Sequence, residues 1–393
     1  MSTRATPHIV LIGTGLTSLT IARTLLLSTT LTTPFSLTLL DKAKNPGGRL
    51  TSRTYDSGVV LETGARVFEA SPNPSTFIKE VERWESKGYV KQVVPGMLKG
   101  VGEGSSGSGR GGKWWEGVGG FSRGLIAGLV QEIKEASKGR VEFKYEVTVS
   151  GGYLQVVAAN PTPIDPTTNP LDLTLDPSIE LPPISYLVHT GPSPQSSVLL
   201  PSSSTARASP TTYLKTFVWL LPTIKLSPPS PIYHRNPHTS INSIATGLGS
   251  KSPSSKTDDD AQGLVIQSTP EKLGLGCTKD ETTDQEIRNR FFKILSDENV
   301  LPLEILSDIK DRTGRESQIK RWKFAQVEGA VEVRQGGYET EGKRCVVLEG
   351  DRVILAGDGT VGGAGCVEGA YLAGVEAAQV LIRWVEQAER SKM

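Results

Sequence analysis

Apolar and polar positions follow a clear order at the start of the chain. Residues 9–12 form a short, uninterrupted apolar run, which predicts a strand buried on both faces. Residues 16–27 carry apolar side chains at helical spacing, and Gly13 and Gly15 lie between these two segments. The segment SLTLL at 36–40 predicts a second strand. The pattern therefore predicts the strand, turn, helix and strand of a parallel α/β unit.

The glycines and an acid after the second strand are typical of a dinucleotide-binding turn. Gly13 allows the tight turn, and Gly15 lets the backbone approach a pyrophosphate at the helix N-terminus. Ser18 replaces the third glycine of the usual fingerprint, and serine is small enough to keep helix and strand close. Asp41 directly follows the second strand, where a carboxylate can accept hydrogen bonds from ribose hydroxyls. The predicted nucleotide contacts in this segment are Gly13, Gly15, Leu16, Thr17, Ser18, Asp41 and Lys42.

A second glycine-rich turn favours a flavin over a nicotinamide nucleotide. Gly47, Gly48 and Arg49 follow Asp41. A nicotinamide dehydrogenase has no need of such a turn, whereas the diphosphate of the longer flavin dinucleotide benefits from a guanidinium. Together with LETGARVF at 61–68, this block resembles the amine oxidase-type flavoproteins. The resemblance implies contacts to FAD from Gly48, Arg49, Thr63, Gly64 and Ala65.

The C-terminal part carries a matching motif. Residues 353–356 predict a buried strand, a Gly-Asp-Gly turn follows at 357–359, and small residues from Cys366 onward predict a closely packing helix. In the flavoproteins that the chain resembles, the aspartate holds the ribityl or phosphate part of FAD. The helix N-terminus there faces the pyrimidine edge, where a reduced flavin carries negative charge. The implied contacts are Gly357, Asp358, Gly365, Cys366 and Val367, with Val147 from the middle of the chain.

Cys366 raises the question of how FAD would be attached. A cysteine at a helix start has a lowered pKa and is reactive, so a covalent flavin is one interpretation. The glycine-rich setting instead suits close approach of the backbone and a small side chain. Noncovalent FAD is therefore the prediction.

Four smaller blocks narrow the resemblance further. They are KWWEGVGGFS at 113–122, YEVT at 145–148, YLVHTGPSPQSSVLL at 186–200 and RWKFAQV at 321–327. In this order they resemble renalase and its bacterial and fungal relatives. The resemblance implies an α/β fold with a Rossmann-type, glutathione-reductase-2-like FAD-binding domain and an inserted, mostly antiparallel α+β substrate domain. The expected FAD-binding domain comprises 1–70, 113–200 and 340–393, and the expected substrate domain comprises 71–112 and 201–339.

The resemblance also implies a chemistry. Enzymes of the renalase type transfer a hydride from dihydropyridine forms of nicotinamide nucleotides to FAD, and O2 reoxidises the flavin to give hydrogen peroxide. Such a donor needs no strong general base, and because no acid/base constellation is evident, no catalytic residue is assigned. A flavin amine oxidase is one alternative, although no aromatic pair that would flank an amine is identifiable. A Rab escort or GDP-dissociation inhibitor-like binding protein without FAD is an alternative of another class, against which Arg49 and Asp358 argue.

Composition and charge disfavour several other classes. The chain has 43 Lys and Arg against 42 Asp and Glu, without a long cationic run, so no nucleic-acid partner is expected. Its three cysteines are far apart and predict neither a disulfide framework nor a metal site, which indicates an intracellular protein. No apolar run approaches the length of a membrane span, and the start lacks the layout of a signal peptide. The expected partners are a small-molecule substrate and O2.

The remaining features concern localisation and inserts. The tripeptide Ser391-Lys392-Met393 resembles a variant of a peroxisomal address, so a cytoplasmic or peroxisomal protein is expected. Low-complexity segments predict loop inserts at 101–112, 160–183, 201–212 and 249–262.

Substrate-side candidates are few. His234, Arg235 and His238 could meet a phosphate, but a polar loop is the preferred interpretation. Trp322 either lines the flavin pocket or belongs to the core. His189 lies on an apolar strand and is predicted to be a core residue.

Overall fold

The protein is described from a computed structural model. The structure describes residues 6–70, 76–93, 98–99, 113–149, 151–153, 172–174, 179–192, 207–208, 213–222, 224, 233–235, 240–249, 263–269, 271–299, 301–312, 317–327, 333–334, 344–349, 352–357 and 366–391. The predicted inserts at 101–112, 160–183, 201–212 and 249–262 lie wholly or largely outside these residues.

Helices and strands alternate irregularly along the described part of the chain. The helices are α1 (Leu16–Leu27), α2 (Thr76–Ser86), α3 (Ala127–Ser137), α4 (Asp284–Asp297), α5 (Leu303–Arg312) and α6 (Val367–Arg390), and a π-helical turn, Ser122–Ile126, precedes α3. The strands of the first half are β1 (His8–Ile12), β2 (Ser36–Asp41), β3 (Ser52–Thr54), β4 (Val59–Glu62), β5 (Phe68–Ala70), β6 (Val90–Gln92), β7 (Leu98–Lys99), β8 (Lys113–Gly117), β9 (Val141–Tyr145), β10 (Gly151–Tyr153), β11 (Asp172–Thr174) and β12 (Tyr186–His189). The strands of the second half are β13 (Arg207–Ala208), β14 (Tyr213–Leu221), β15 (Tyr233–Arg235), β16 (Ile241–Thr246), β17 (Leu248–Gly249), β18 (Leu264–Ser268), β19 (Gln318–Val327), β20 (Val333–Arg334), β21 (Cys345–Leu348) and β22 (Val353–Ala356).

The chain folds into two units, each built from separate stretches of sequence. Unit 1 comprises Met1–Gly48, Ile126–Thr212 and Val327–Met393, and unit 2 comprises Arg49–Leu125 and Tyr213–Gln326. This division differs from the boundaries expected from the sequence, because residues 49–70 and 113–125 belong to unit 2. The reason is pairing between distant segments: β5 pairs with β8, and Val59 and Leu61 of β4 pack against β14. The short strands β13 and β20, expected in the substrate domain, pair with each other inside unit 1.

Unit 1 contains a six-stranded sheet in the order β21-β22-β12-β1-β2-β9. All neighbours in it are parallel except β21 and β22, which are antiparallel. Strand β1, which is buried from residue 8 to residue 11, lies between β2 and β12, because its uninterrupted apolar run can face a core on both sides. Helix α1 packs against α6 and α3, and the ring of Tyr186 on β12 stacks on Trp384 of α6. The expected Rossmann-type α/β sheet is therefore confirmed.

Unit 2 is built mainly of antiparallel strands. Its largest sheet has the order β19-β14-β18-β16-β15-β7, in which β7 and β15 are parallel and the other described pairs are antiparallel. Helices α4 and α5 cover one face, where Trp219 packs against Phe291. The hairpin β3–β4 covers the other face through Val59 and Leu61. The expected mostly antiparallel α+β insert is confirmed.

Candidate functional site

The first glycine turn in unit 1 has a backbone that only glycine adopts easily. Gly13 has φ of +103°, and its N–H donates to the Leu40 carbonyl oxygen at 2.7 Å. A Cβ on Gly13 would lie 2.6 Å from Thr190 Oγ1. Both conformation and space therefore require glycine between β1 and α1.

Ser18, the departure from the usual fingerprint, has a specific partner. Its hydroxyl lies 2.7 Å from Thr190 Oγ1, and Thr190 Oγ1 in turn donates to the Ile12 carbonyl oxygen at 2.9 Å. Ser18 is fully buried. The serine thus replaces the close contact of a glycine with a hydrogen bond between α1 and the end of β12, and the close approach expected from the sequence is retained.

Gly15 leaves the N-terminus of α1 open. It is the N-cap residue, its backbone is extended, and a Cβ there would meet no atom of the described residues within 4 Å. A glycine supplies no capping side chain, and the first turn of α1 carries no acidic residue. Leu16, Thr17 and Ser18 therefore begin a helix whose positive end has no side-chain counter-charge of its own.

The second glycine turn packs against the first. Gly47 N–H donates to the Thr14 carbonyl oxygen at 3.0 Å, and Gly15 and Gly47 form an isolated parallel bridge. Gly48 has φ of +58°, and a Cβ on it would lie 3.6 Å from Gly15 Cα. The structure thus brings the two predicted glycine segments of unit 1 side by side.

Asp41 lies where the sequence predicts, but its carboxylate also holds the loop. One oxygen, Oδ2, accepts from the N–H of Thr14 at 2.7 Å and from the Thr14 hydroxyl at 2.6 Å. The other, Oδ1, accepts from the Ala43 N–H at 2.8 Å. The adjacent Lys42 is exposed, and the N–H of the buried Val147 donates to the Asp41 carbonyl oxygen at 2.9 Å. Asp41 therefore fixes the glycine loop and leaves at most part of its acceptor capacity for a ligand.

A second helix N-terminus lies beside the first. Cys366 is the N-cap of α6, which begins at Val367, and its Sγ accepts from the Gly369 N–H at 3.2 Å. The Thr17 hydroxyl donates to the Ala370 carbonyl oxygen at 3.0 Å. Because Thr17 and Ala370 both lie in first turns, the positive ends of α1 and α6 lie close together.

Part of the C-terminal motif is described. Gly357 is buried, has φ of +140°, and a Cβ on it would lie 3.3 Å from the Thr190 carbonyl oxygen. The turn after β22 therefore meets the same Thr190 that contacts Gly13. Asp358 and Gly365 lie outside the described residues.

Three further predicted contacts, Thr63–Ala65, lie in unit 2 beside Arg49. Ala65 N–H donates to the Arg49 carbonyl oxygen at 2.9 Å, and a Cβ on Gly64 would overlap that oxygen. Thr63 Oγ1 lies 3.0 Å from Thr51 Oγ1, and the Thr63 carbonyl oxygen accepts from Trp322 Nε1 at 2.6 Å. Arg49 Nη1 donates to the Ala325 carbonyl oxygen at 3.3 Å. The GGR and ETGA motifs are therefore held together by backbone contacts.

Glu62 has a buried carboxyl group, and no role for it is predicted from the sequence. Its side chain accepts from the Phe121 N–H at 2.7 Å and from the Ser52 hydroxyl at 2.8 Å. Burial raises the pKa of Glu62 to about 7, although both hydrogen bonds and the charge of Arg66 act in the opposite direction. The run VVLE at 59–62 could have indicated this burial, because Glu62 directly follows three apolar residues in a strand that is buried throughout.

The remaining residues considered from the sequence are His189, Trp322, His234, Arg235 and His238. His189 is 4 % exposed, burial lowers its pKa to about 4, and its Nδ1 has no hydrogen-bond partner among the described residues. Trp322 is half-buried and packs on the core formed by β4, β14 and β18. The side chains of His234 and Arg235 on β15 are not described, and His238 lies outside the described residues.

Comparisons with known proteins agree on the fold. Residues 11–81 match the family model of an NAD(P)-binding Rossmann-like domain. A proposed protoporphyrinogen oxidase from Exiguobacterium sp. 255-15 is 12% identical with a TM-score of 0.57, and the alignment covers 98% of this chain and 100% of that chain. An oxidoreductase from Methanosarcina mazei is 14% identical with a TM-score of 0.55 (95% and 100% covered), and the PF1083 protein from Pyrococcus furiosus is 13% identical with a TM-score of 0.55 (96% and 98% covered). No curated protein sequence matches the chain.

No described helix is long and apolar enough to cross a membrane. Among the same residues, no group of three or more His, Cys, Asp or Glu side chains is arranged to hold a metal ion.

Proposed function

We propose that the protein is an FAD-dependent oxidoreductase that binds FAD noncovalently through unit 1. The observation that carries this proposal is the open position at Gly15, where two glycine turns and the N-termini of α1 and α6 lie together. Backbone N–H groups and helix dipoles at such a place favour an anionic diphosphate. The match of residues 11–81 to the model of an NAD(P)-binding Rossmann-like domain supports the binding of a dinucleotide diphosphate at this place.

Each contact residue would have a distinct role. The first turn of α1, from Leu16 to Ser18, would bind the diphosphate, and Asp41 would hold the Thr14 loop in position while its remaining acceptor capacity meets a ribose hydroxyl. The first turn of α6 would stabilise negative charge on the isoalloxazine. Cys366 Sγ already accepts a hydrogen bond as the helix cap, which favours noncovalent binding.

The proposed substrate is a dihydropyridine form of a nicotinamide nucleotide. Bound FAD would supply a two-electron acceptor for the hydride, and O2 would return it to the oxidised form with release of hydrogen peroxide. The chain itself would have to orient the donor ring and exclude water, because a dihydropyridine needs no strong base. The support for this substrate is the likeness of four sequence blocks to renalases.

The other candidates have less support. An amine substrate needs free aromatic faces for its cation, but the half-buried rings of Tyr55 and Trp322 in unit 2 already carry Arg53 and Lys320 over their faces. A Rab escort-like protein binds no FAD, so it would not need the open space at Gly15 between the two glycine turns. A similar fold in a proposed protoporphyrinogen oxidase makes a porphyrinogen worth including in the substrate screen.

Localisation also stays a proposal. We propose that the protein is cytoplasmic or peroxisomal, and the resemblance of Ser391-Lys392-Met393 to a peroxisomal address supports the second compartment. Deleting the tripeptide from a fluorescent fusion tests this.

The first experiment is the visible absorption spectrum of the purified protein before and after denaturation and filtration. Flavin bands whose chromophore passes the filter would support noncovalent FAD. Flavin retained by the chain would point to Cys366, and no flavin even after addition of FAD would contradict the proposal.

A pair of substitutions at Gly15 tests where the diphosphate lies. Gly15→Asp places a carboxylate in the open space at the helix start, so we expect flavin occupancy to fall more than tenfold through charge repulsion. The same aspartate caps the helix slightly better than glycine and interacts favourably with the helix dipole, so the apoprotein should be as stable or more stable by up to about 1 kcal/mol. Gly15→Asn is the neutral control of equal size and should retain more flavin. Full flavin occupancy in Gly15→Asp would refute the placement.

A further inference from the structure

In unit 2, one face of β19 and the hairpin β3–β4 together carry two cations and two aromatic rings. Ile319 and Arg321 point to the helix side, where Arg321 contacts Asp284 at the start of α4. Gln318, Lys320 and Trp322 therefore point to the opposite side, toward the hairpin β3–β4. There Tyr55 Oη lies 3.4 Å from Gln318 Oε1, and Trp322 Nε1 donates to the Thr63 carbonyl oxygen at 2.6 Å.

Each ring in this row has a cation over its face. The guanidinium carbon of Arg53 lies 5.4 Å from the centroid of the Tyr55 ring, and Lys320 Nζ lies 5.0 Å from that of Trp322. The rings are half-buried, whereas Arg53 and Lys320 are exposed. We name these four residues, Arg53, Tyr55, Lys320 and Trp322, the cation–aromatic strip.

Among the described residues, the strip has positive charge without a local counter-charge. In the part of the chain that the structure describes, no carboxylate lies within ion-pair distance of Arg53 or Lys320. Elsewhere in unit 2 cations do have such partners, for example Arg66 with Glu116 at 2.6 Å. Two uncompensated cations held over aromatic rings form a surface that attracts an anion.

One end of the strip borders the predicted FAD contacts Thr63–Ala65. One end is Trp322, which is bonded to Thr63, the first residue of the Thr63–Ala65 segment. The other end is Tyr55, beside Gln318. From Gln318 to Trp322 an extended strand covers roughly 13 Å. The strip therefore extends over this distance away from the Thr63–Ala65 segment.

We propose that the cation–aromatic strip is a subsite for the phosphate groups of a nucleotide substrate. This proposal rests on the proposed function and deepens it. Lys320 would attract the phosphate as a point charge, and Arg53 would donate paired hydrogen bonds to its oxygens. The rings hold both cations in place, so little side-chain freedom is lost when the anion binds.

The test uses the isolated flavoprotein and two lysines on the same strand. Lys320→Gln removes a charge from the strip, and Lys323→Gln removes an exposed lysine from the opposite face of β19. Exposed substitutions of this kind cost little stability, so both variants should fold. Calorimetry then compares binding of NAD⁺ with that of nicotinamide riboside, which lacks phosphate.

We expect Lys320→Gln to weaken NAD⁺ binding about fivefold, as for loss of one exposed charge pair. Nicotinamide riboside binding should stay unchanged, and Lys323→Gln should change neither. Arg53→Gln should have an effect similar to that of Lys320→Gln. Equal effects of the two lysine variants, equal effects on both ligands, or no NAD⁺ binding by the wild-type flavoprotein would each overturn the proposal.

Oxidation kinetics separate this proposal from the proposed function. If no dihydropyridine is oxidised but NAD⁺ binding still depends on Lys320, the proposed function fails and the subsite stands. If a dihydronicotinamide dinucleotide is oxidised with a KM that Lys320→Gln leaves unchanged, the subsite fails and the function stands.

Discussion

Glu62→Gln removes a buried group that titrates near neutral pH. Burial raises the pKa of Glu62 from its ordinary value of 4.5 to about 7 in the folded protein. The difference corresponds to about 3 kcal/mol between the two protonation states. The glutamine keeps the size of the side chain, its carbonyl oxygen can accept from the Phe121 N–H, and its NH2 can donate to the Ser52 hydroxyl oxygen.

The sign of the pH effect follows from proton binding. Between pH 4.5 and about 7 the folded protein retains a proton on Glu62 that the unfolded chain has lost. Stability of the wild type therefore falls as pH rises through this window, and the full loss is reached above the folded-state pKa. Below pH 4.5 Glu62 is protonated in both the folded and the unfolded state, so it adds nothing to the pH dependence of stability.

The assay is urea unfolding of wild type and variant from pH 5 to 8, followed by tryptophan fluorescence. Five of the six tryptophans (residues 84, 114, 115, 219 and 322) lie in unit 2 with Glu62, so the signal reports mainly on this unit. We expect the stability of Glu62→Gln relative to wild type to increase by about 2–3 kcal/mol across this range. Glu82→Gln, an exposed change on α2, should show no such trend. A difference between Glu62→Gln and wild type that is constant with pH would refute the reasoning.

Two further predictions concern unit 1. His189→Leu should stabilise the protein increasingly as pH falls from 6.5 toward 4. Burial keeps His189 neutral with a pKa of about 4, whereas the unfolded chain takes up a proton in this range. Circular dichroism melts of wild type and variant at several pH values check this, and parallel pH profiles of the two would contradict it. Ser18→Gly restores the usual third glycine, yet it should cost about 1–2 kcal/mol by losing the bond to Thr190 and placing glycine in α1; an unfolding curve shifted to higher urea would contradict this.

The N-terminal half of the site was predictable because its signals are local. The apolar run of β1, the helical spacing of α1 and the two glycine turns depend on neighbouring residues, and the structure places Gly15 and Gly47 together. The position of Asp41 was also predictable. Its bonds to the backbone N–H and the hydroxyl of Thr14 were not, because they depend on how the glycine turn folds over the end of β2.

Features that depend on distant contacts were not predictable. The expected boundary at residue 70 differs from the one at Gly48, because nothing near β4 shows that Val59 and Leu61 will pack on β14, which begins at Tyr213. Trp322 contacts Thr63, which is 259 residues away in sequence. The burial of Glu62 likewise depends on Phe121 and Ser52, which close over it only in the folded unit.

The strand order of unit 1 constrains how the protein can be made. On the ribosome, β1 and β2 emerge first, but β12 is not available to β1 until residue 189 is synthesised, and β22 follows only at residue 356. Until then one edge of an apolar parallel strand stays unpaired, which is the kind of surface that aggregates. Truncated clones ending before residue 189 should therefore be insoluble, and expression should improve at low temperature or with chaperones.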